Sequence, residues 1–379
     1  MYPPASQIQN ANTNGEQNMS RIKSVLFLLA LAAQVPLASA AVTYVVGSCK
    51  PNLHSFTTIN GALAATPPPN VVEVCPGTYN EQVVITQAVI LEGIPEGILT
   101  GDSAQAIVAP PAGGLVANAT DDLGNSLAVQ IWVNNSAGPV NISDLAVDGT
   151  GNGILGGALV IGIFFQNSPG IVNHVTTRNQ TDNGNGIGVW LEGGSANPTV
   201  TVENSDMHDF DRTAVFDETN SSISALTANI KSNFIDAGAG ATRGIDLEEG
   251  ATSNVTGNSI TGGFSGIHAQ SPGGNISSNT IMGTTIGIQD GSAASVTSNK
   301  IFTSSVGIEI FGAGGVFVQG NTIVGAAQDG INFQCLSTTT TDVHSNTIID
   351  AGTGIANVPG AVVSSNSYLN VATIQSGGC

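Results

Sequence analysis

Histidines and cations are scarce in this chain, which has 5 histidines and 8 lysines plus arginines in 379 residues, so the places where they meet carboxylates stand out. One such place runs from Asp144 to Arg212 and holds Asp148, His174, Arg178, Asp206, His208, Asp209 and Asp211. Carboxylates beside histidine and arginine can do general acid–base work on a sugar. Two carboxylates roughly 5 to 9 Å apart can cleave a glycosidic bond. Asp206, Asp209 and Asp211 could instead bind Ca²⁺ through oxygen. A second set comprises Asp246, His268, Gln289, Glu309 and Asn332, with Trp190, Glu218, Glu248 and Gln270 expected two residues further along. A tryptophan beside carboxylates can stack on a sugar ring, although such rings are more often covered by a loop. The bland alternative for both sets is a solvated charged column on an acidic surface.

Whether these residues meet depends on the elements that carry them, and here the chain repeats. From residue 230 onward an aliphatic residue, two small or polar ones, Asn, any residue and Ile recur: IKSNFI (230–235), VTGNSI (255–260), ISSNTI (276–281), VTSNKI (296–301), VQGNTI (318–323) and VHSNTI (343–348). VVSSNSY follows near the end, with Tyr368 in the Ile place, so the asparagines are 233, 258, 279, 299, 321, 346 and 366. Gly-Ile pairs at Gly244, Gly266, Gly287, Gly307, Gly330 and Gly354 fall between them. Steps of 20 to 25 residues are too short for helix-pair repeats, and the leucine-rich signature is absent. Short alternating runs joined by Gly, Asn and Ser stack instead as coils, with aliphatic residues inside and every second side chain outside. The pattern predicts an all-β, right-handed parallel β-helix of about ten coils. The recurring Asn should form a structural ladder, amide to amide between coils.

Upstream, the same register places Ser143, Asn173 and Ser205 at the Asn position, with steps of 30, 32 and 28. The residue after it then gives an outward column of Asp144, His174 and Asp206, while Asp148 and Arg178 share another. The longer steps require loops, and insertions gathered in one region commonly build the binding face of a solenoid.

The rest of the chain frames this reading. Charged residues make up only 9%, but hydrophobic content of 41% and 48 glycines describe tight-turned strands rather than disorder. Arg21 and Lys23, the apolar run from Val25 to Ala33 and the Ala38-Ser39-Ala40 site read as a secretion signal within residues 1–40, too short to span a bilayer. Residues 41–70 should hold a first strand and a capping helix over FTTINGALAA (56–65), stopped by Pro67-Pro68-Pro69, and the solenoid should fill 71–379. After signal removal, 26 acidic residues face 6 basic ones, a field that repels nucleic acid and anionic membranes and argues against unassisted binding of polyanionic sugars. Four cysteines in an exported chain suggest disulfides, with three pairings open. Cys49–Cys75 with Cys335–Cys379 is preferred, because each bridge would staple one end.

The segment FTTINGALAA…VVEVCPGTYNEQVVIT…VILEG (56–93) resembles the opening of pectin-lyase-like β-helix proteins, in which a capping helix leads into a strand, a Pro-Gly-x-Tyr-x-Glu turn and the next strand. Here the turn is Pro76-Gly77-Thr78-Tyr79-Asn80-Glu81. With the Asn and Gly-Ile coils, the resemblance covers essentially the whole mature chain. It implies the fold and leaves the function open among pectate lyases, polygalacturonases, pectin methylesterases, alginate epimerases, tailspike-type glycosidases and non-catalytic surface proteins. The signature segments of the methylesterases, polygalacturonases and pectate lyases are missing. With only Met207 and Met282 in the mature part, the copper-site branch does not fit either. Two readings compete: an exported, non-catalytic protein that binds glycans or a surface partner or is simply structural, favoured by the absence of a complete signature, and a polysaccharide lyase or glycosidase working in the Asp144–Arg212 groove. Neither needs a cofactor beyond the Ca²⁺ alternative, and nothing marks a trimer seam.

Overall fold

The computed structural model describes residues 41–95, 105–153, 157–194, 197–219, 225–238, 240–248, 250–270, 273–291, 295–312, 315–334, 341–358 and 362–377. The secretion signal and the Cys335–Cys379 pairing lie outside them.

The described strands form three sheets of 14, 12 and 13 strands, parallel throughout except for the short Ala119–Thr120 strand at the side of the third. The chain visits the first, second and third sheet in turn and then repeats, so each strand pairs with its counterpart one coil away. Val140–Ser143 lies beside Gly170–Asn173 in the first sheet, Leu145–Asp148 beside Thr176–Arg178 in the second, and Leu159–Gln166 beside Gly186–Glu192 in the third. The second sheet contributes one strand per coil and its 12 strands give twelve coils. The sequence suggested about ten because the first coils, up to the strand Ser126–Asn134, lack the Asn motif on which that number rests.

Inside the solenoid, like residues stack on like. Ile230, Val255, Ile276, Val296, Val318 and Val343 form one column on the first sheet. Ile235, Ile260, Ile281, Ile301, Ile323 and Ile348 form another on the second, and Ile245, Ile267, Ile288, Ile308, Ile331 and Ile355 a third. All are buried. Fully burying each such side chain contributes about 1.5–3 kcal/mol, which makes these columns the main support of the fold.

The Asn ladder is present at the corner between the first and second sheets. Asn258 donates its backbone N–H and its Nδ2 to Oδ1 of Asn279, at 2.9 and 3.0 Å, and a further Nδ2 bond reaches Ile230 O at 2.9 Å. The same set recurs from Asn233 to Asn346, with Asn366 as the last acceptor. The left-handed backbone turn belongs to the residue before each Asn, as at Ser232 (φ 57°), Gly257 (68°), Ser278 (60°) and Ser345 (59°). The Asn side chain is thereby left to fill the corner.

Upstream the ladder ends sooner than expected. Ser205 takes the next rung, accepting a bond from Val175 N–H at 3.2 Å and donating its own N–H to Asn233 Oδ1 at 3.0 Å. Val175 and Leu145, both buried, then occupy the ladder position, while Ser143 and Asn173 pair with Glu203 and Lys231 on the first sheet. The expected register at Ser143 and Asn173 is therefore two residues off.

The N-terminal end is closed by a helix, shorter than expected. It spans Ile59–Leu63, with Ile59, Ala62 and Leu63 buried and Thr58 as N-cap, while Phe56 lies in the short strand Ser55–Phe56. The Pro-Gly-x-Tyr-x-Glu turn holds this cap in place. Glu81 accepts the free helix N–H groups of Ile59 and Asn60 at 2.7 and 3.0 Å, and Tyr79 Oη donates to Cys75 O at 2.9 Å. The Cys49–Cys75 disulfide closes the same end.

Candidate functional site

The outer face of the second sheet carries much of the first cluster, but not as one site. Asp148, Arg178, His208 and Asp236 do stack in one column. Arg178 Nε donates to Asp148 Oδ2 at 2.8 Å. Partial burial works to raise the Asp148 pKa, but hydrogen bonds from Thr150, Asn179 and Arg178 outweigh it and hold the carboxyl at about 2. Such a strongly held pair is a fixed part of the surface. His208 Nδ1 lies 2.6 Å from Asp209 Oδ2, and Asp209 is in the left-handed turn region.

The expected column of Asp144, His174 and Asp206 breaks. Asp144 (φ 56°) and His174 (φ 53°) occupy equivalent left-handed turns, with His174 Nδ1 3.9 Å from Asp144 Oδ1. Asp206 lies two residues further along the register, on the strand between Thr176 and Phe234. The proposed Ca²⁺ trio does not converge either. Asp211 spends both oxygens on the loop of the preceding coil, accepting N–H groups of Asp182, Gly184 and Gly186 at 2.8, 2.8 and 2.5 Å. Asp209 is turned to His208 and Asp206 lies on the strand face. Arg212 belongs elsewhere, its guanidinium 5.0 Å from the ring centroid of Phe216 on the third sheet.

The outer face of the third sheet brings more together. One column runs Trp132, Phe164, Trp190, Phe216, Asp246, His268, Gln289, Glu309 and Asn332, so the expected stacking of Asp246 through Asn332 is present. A second column, two residues on, runs Asn134, Gln166, Glu192 and Glu218, with Glu248 next to Leu247 in the following coil. Trp190 thus lies in the first column, not beside Glu218 in the second. It is only 1% exposed, packed between Phe164 and Phe216. Ala119 packs into the same cluster, from a short strand, Ala119–Thr120, that runs antiparallel to Ser126–Leu127. Trp190 is therefore not an open platform for a sugar ring.

The residue that takes its expected place is Glu192, which the sequence reading missed. A signal was there: Trp190-Leu-Glu192, Phe216-Asp-Glu218 and Asp246-Leu-Glu248 share a spacing from coil to coil. Glu192 accepts from Asp122 N–H at 3.1 Å and Gln166 Nε2 at 2.9 Å. Burial, with Asp122 and Asp121 nearby, pushes its carboxyl up to about 7 against those hydrogen bonds. Glu218 is also raised to about 7, by burial first and then by Asp122, Asp121 and Glu248, with Arg212 opposing. Burial and Asp246 raise Glu248, while His268 and Arg243 oppose.

Below Glu248 lies a closed polar network. Arg243 Nη1 bridges Asp246 Oδ2 and Glu248 Oε1, at 2.5 and 3.1 Å. His268 Nδ1 lies 2.9 Å from Asp246 Oδ1, and Gln270 Nε2 lies 3.3 Å from His268 Nε2. With Asp246 facing Nδ1, the donor proton belongs there and Nε2 accepts from Gln270. The ring stacks on Phe311, centroids 5.6 Å apart. Asp246, Glu248 and His268 also form a group whose ligand atoms lie within 4.8 Å of one another, although Arg243 already supplies the positive charge at its centre. Chemically, the face offers carboxylates in consecutive coils, spaced by the roughly 4.8 Å between neighbouring strands and held in different electrostatic settings.

Residues 244–378 match the profile of a family described as a right-handed β-helix region. No curated protein matches the sequence. Among solved structures, the A-module of the Azotobacter vinelandii mannuronan C-5 epimerase AlgE4 superposes with a TM-score of 0.57 at 16% identity, over 84% of this chain and 91% of its own. The GH136 lacto-N-biosidase from Eubacterium ramulus gives 0.60 at 10% identity, over 92% and 71%. The DFA-IIIase from Arthrobacter chlorophenolicus A6, without its lid, gives 0.55 at 15%, over 83% and 92%. At these identities the likeness is one of fold.

Proposed function

We propose that this chain, a right-handed parallel β-helix of the pectin-lyase-like superfamily, hydrolyses glycosidic bonds on the outer face of its third sheet. The observation that carries the reading is the row Glu192, Glu218 and Glu248, one carboxylate per consecutive coil on one face. Adjacent members are about 5 Å apart by strand spacing, the separation used by retaining glycosidases. Their settings differ in the way an acid and a nucleophile require. Among the described residues the Glu218 carboxylate has no hydrogen-bond partner and its pKa is raised to about 7, so it holds a proton to give. Glu248 has Arg243 at 3.1 Å as a fixed countercharge. In the proposed sequence, Glu218 protonates the leaving oxygen while Glu248 attacks the anomeric carbon. Glu218, now ionised, takes a proton from water as the water displaces Glu248. Carbohydrate-active enzymes among the structural neighbours support the substrate class. Export is part of the reading, supported by the leader sequence and by a disulfide of the kind that persists in oxidising compartments.

A panel of poly- and oligosaccharides assayed for new reducing ends tests this. At least one should be cleaved, with Glu218→Gln and Glu248→Gln each losing about 10²–10⁴-fold in kcat. No cleavage of any member, or full activity in both variants, overturns it. A second reading, retention of glycan without turnover, draws on the mutual satisfaction of Arg243, Asp246 and His268, which leaves that trio a structural brace. It expects binding with no product.

A further inference from the structure

Resting on that reading and deepening it, we propose that Asp246, itself fixed by His268, is a positioning residue for Glu248 and acts on it through Arg243. The chain of contacts is unbroken. Arg243 Nη1 reaches Glu248 Oε1 at 3.1 Å and Asp246 Oδ2 at 2.5 Å. Asp246 Oδ1 faces His268 Nδ1 at 2.9 Å, and the far side of that ring meets Gln270 Nε2 at 3.3 Å. Asp246 and His268 are 1% and 3% exposed, and the ring is stacked on Phe311. None of these groups can turn without breaking a buried bond, so the outermost contact, on one oxygen of Glu248, is fixed by the ones beneath it.

The two distances on Arg243 decide what the arrangement does. The shorter bond goes to Asp246, so the guanidinium is spent mainly on the buried aspartate. Glu248 is aimed by Arg243 without being neutralised by it, and the hold is on Oε1, which leaves Oε2 for the attack. When Glu248 bonds to the anomeric carbon, and the glycosidic bond breaks toward the oxygen that Glu218 protonates, the carboxylate becomes a neutral ester. Arg243 loses one of its two countercharges at that moment. A partly buried charge stripped of its partner is strongly unfavourable, and Asp246, held by His268, keeps the countercharge in place through the step. A simple brace needs less than this. Further along the same column Gln289 Nε2 donates to Glu309 Oε2 at 2.8 Å, one amide-to-acid bond between coils. Buried ion pairs add little stability over such contacts once desolvation is counted, so the fixed geometry they confer accounts better for Arg243, Asp246 and His268.

The test is steady-state kinetics of the full chain on a saccharide of the panel that the parent cleaves, at a temperature where circular dichroism shows each variant folded. Asp246→Asn and Arg243→Gln should each lower kcat about 10²-fold, with KM within about twofold of the parent. The double variant should lose no more than the worse single one, because both act through one contact. His268→Leu should lower kcat about tenfold, whereas His268→Asn, whose amide can donate where Nδ1 does, should keep it within about threefold of the parent. Full kcat in a folded Asp246→Asn, or losses that multiply in the double variant, overturn the proposal, and with Glu248→Gln inactive the hydrolase reading stands. Should Asp246→Asn fail to fold, the histidine pair decides in its place, and equal kcat in His268→Leu and His268→Asn overturns the proposal. Full activity in Glu248→Gln, or no cleavage of any saccharide by the parent, overturns both.

Discussion

Asp217 and Glu218 are neighbours in sequence and lie on opposite faces of one strand. Asp217 points into the solenoid, in register with the core residues Leu191 and Leu247, while Glu218 joins the outer row. Burial raises both carboxyls, to about 8 and about 7. Asp217 accepts from Ser253 Oγ and from Glu248 N–H, so an interior acid is wired to the backbone of an outer one.

That interior acid should make stability fall with pH. The folded chain holds a proton on Asp217 that the unfolded chain releases near its ordinary value of about 4. Its contribution is therefore full below pH 4 and is lost as pH rises through about 8. Asp217→Asn keeps the shape without the charge. It should match the parent at pH 3 and exceed its Tm by roughly 2–5 °C at pH 9, read by thermal scans across pH. A variant curve parallel to the parent's would remove Asp217 as the cause.

The ladder should weaken most where it is deepest. Asn279→Ala strips the acceptor from two donors of Asn258 and removes the Nδ2 that donates to Asn299 Oδ1 and to Val255 O. The expected cost is about 2–4 kcal/mol in urea unfolding. Asn366→Ala, at the final rung, should cost about 1 kcal/mol less because water reaches that end.

Trp190 separates packing from hydrogen bonding. Trp190→Phe gives up an indole donor that bonds nothing in the free protein, so it should cost under about 1.5 kcal/mol, whereas Trp190→Ala should cost about 3–5. Equilibrium unfolding of the two variants decides this. A large loss in the Phe variant would mean that the indole nitrogen does have a partner.

Opening the Cys49–Cys75 bridge, 26 residues apart, should cost about 3 kcal/mol by loop entropy. Hydrogen exchange in a Cys49→Ala/Cys75→Ala variant should quicken over the first strand and the capping helix, while the Asn233–Asn366 coils keep their protection.

The fold was legible because its period is written in letters: the asparagines from 233 to 366 and the Gly-Ile pairs from Gly244 onward recur at short steps of 20 to 25 residues. Both misplacements upstream are slips of two residues. The repeat places Asn173 where Val175 belongs, and places Trp190 in the column of Glu218 where Glu192 belongs. A slip of one exchanges inside for outside and betrays itself in the hydrophobic pattern. A slip of two keeps every residue on its proper face and moves only the column, so polarity alone gives no warning. The Asp246–His268 stack was read correctly because it lies in the regular coils. The carboxylate row was only half seen, for Glu192 lies beyond the point where the register slipped.

The division of the asparagine spine at Ser205 has a consequence for how such a molecule can change over generations. Below it, coils from 255 onward have near-identical corners and interiors, so a whole turn could be copied or deleted and the remainder would still stack. Above it, Val175 and Leu145 replace the polar rung, and the strands, loops and acids of the third sheet are individually fitted to one another. The molecule thus joins a length of interchangeable parts to a bespoke head, and variation in coil number among its descendants should accumulate in the first without touching the second.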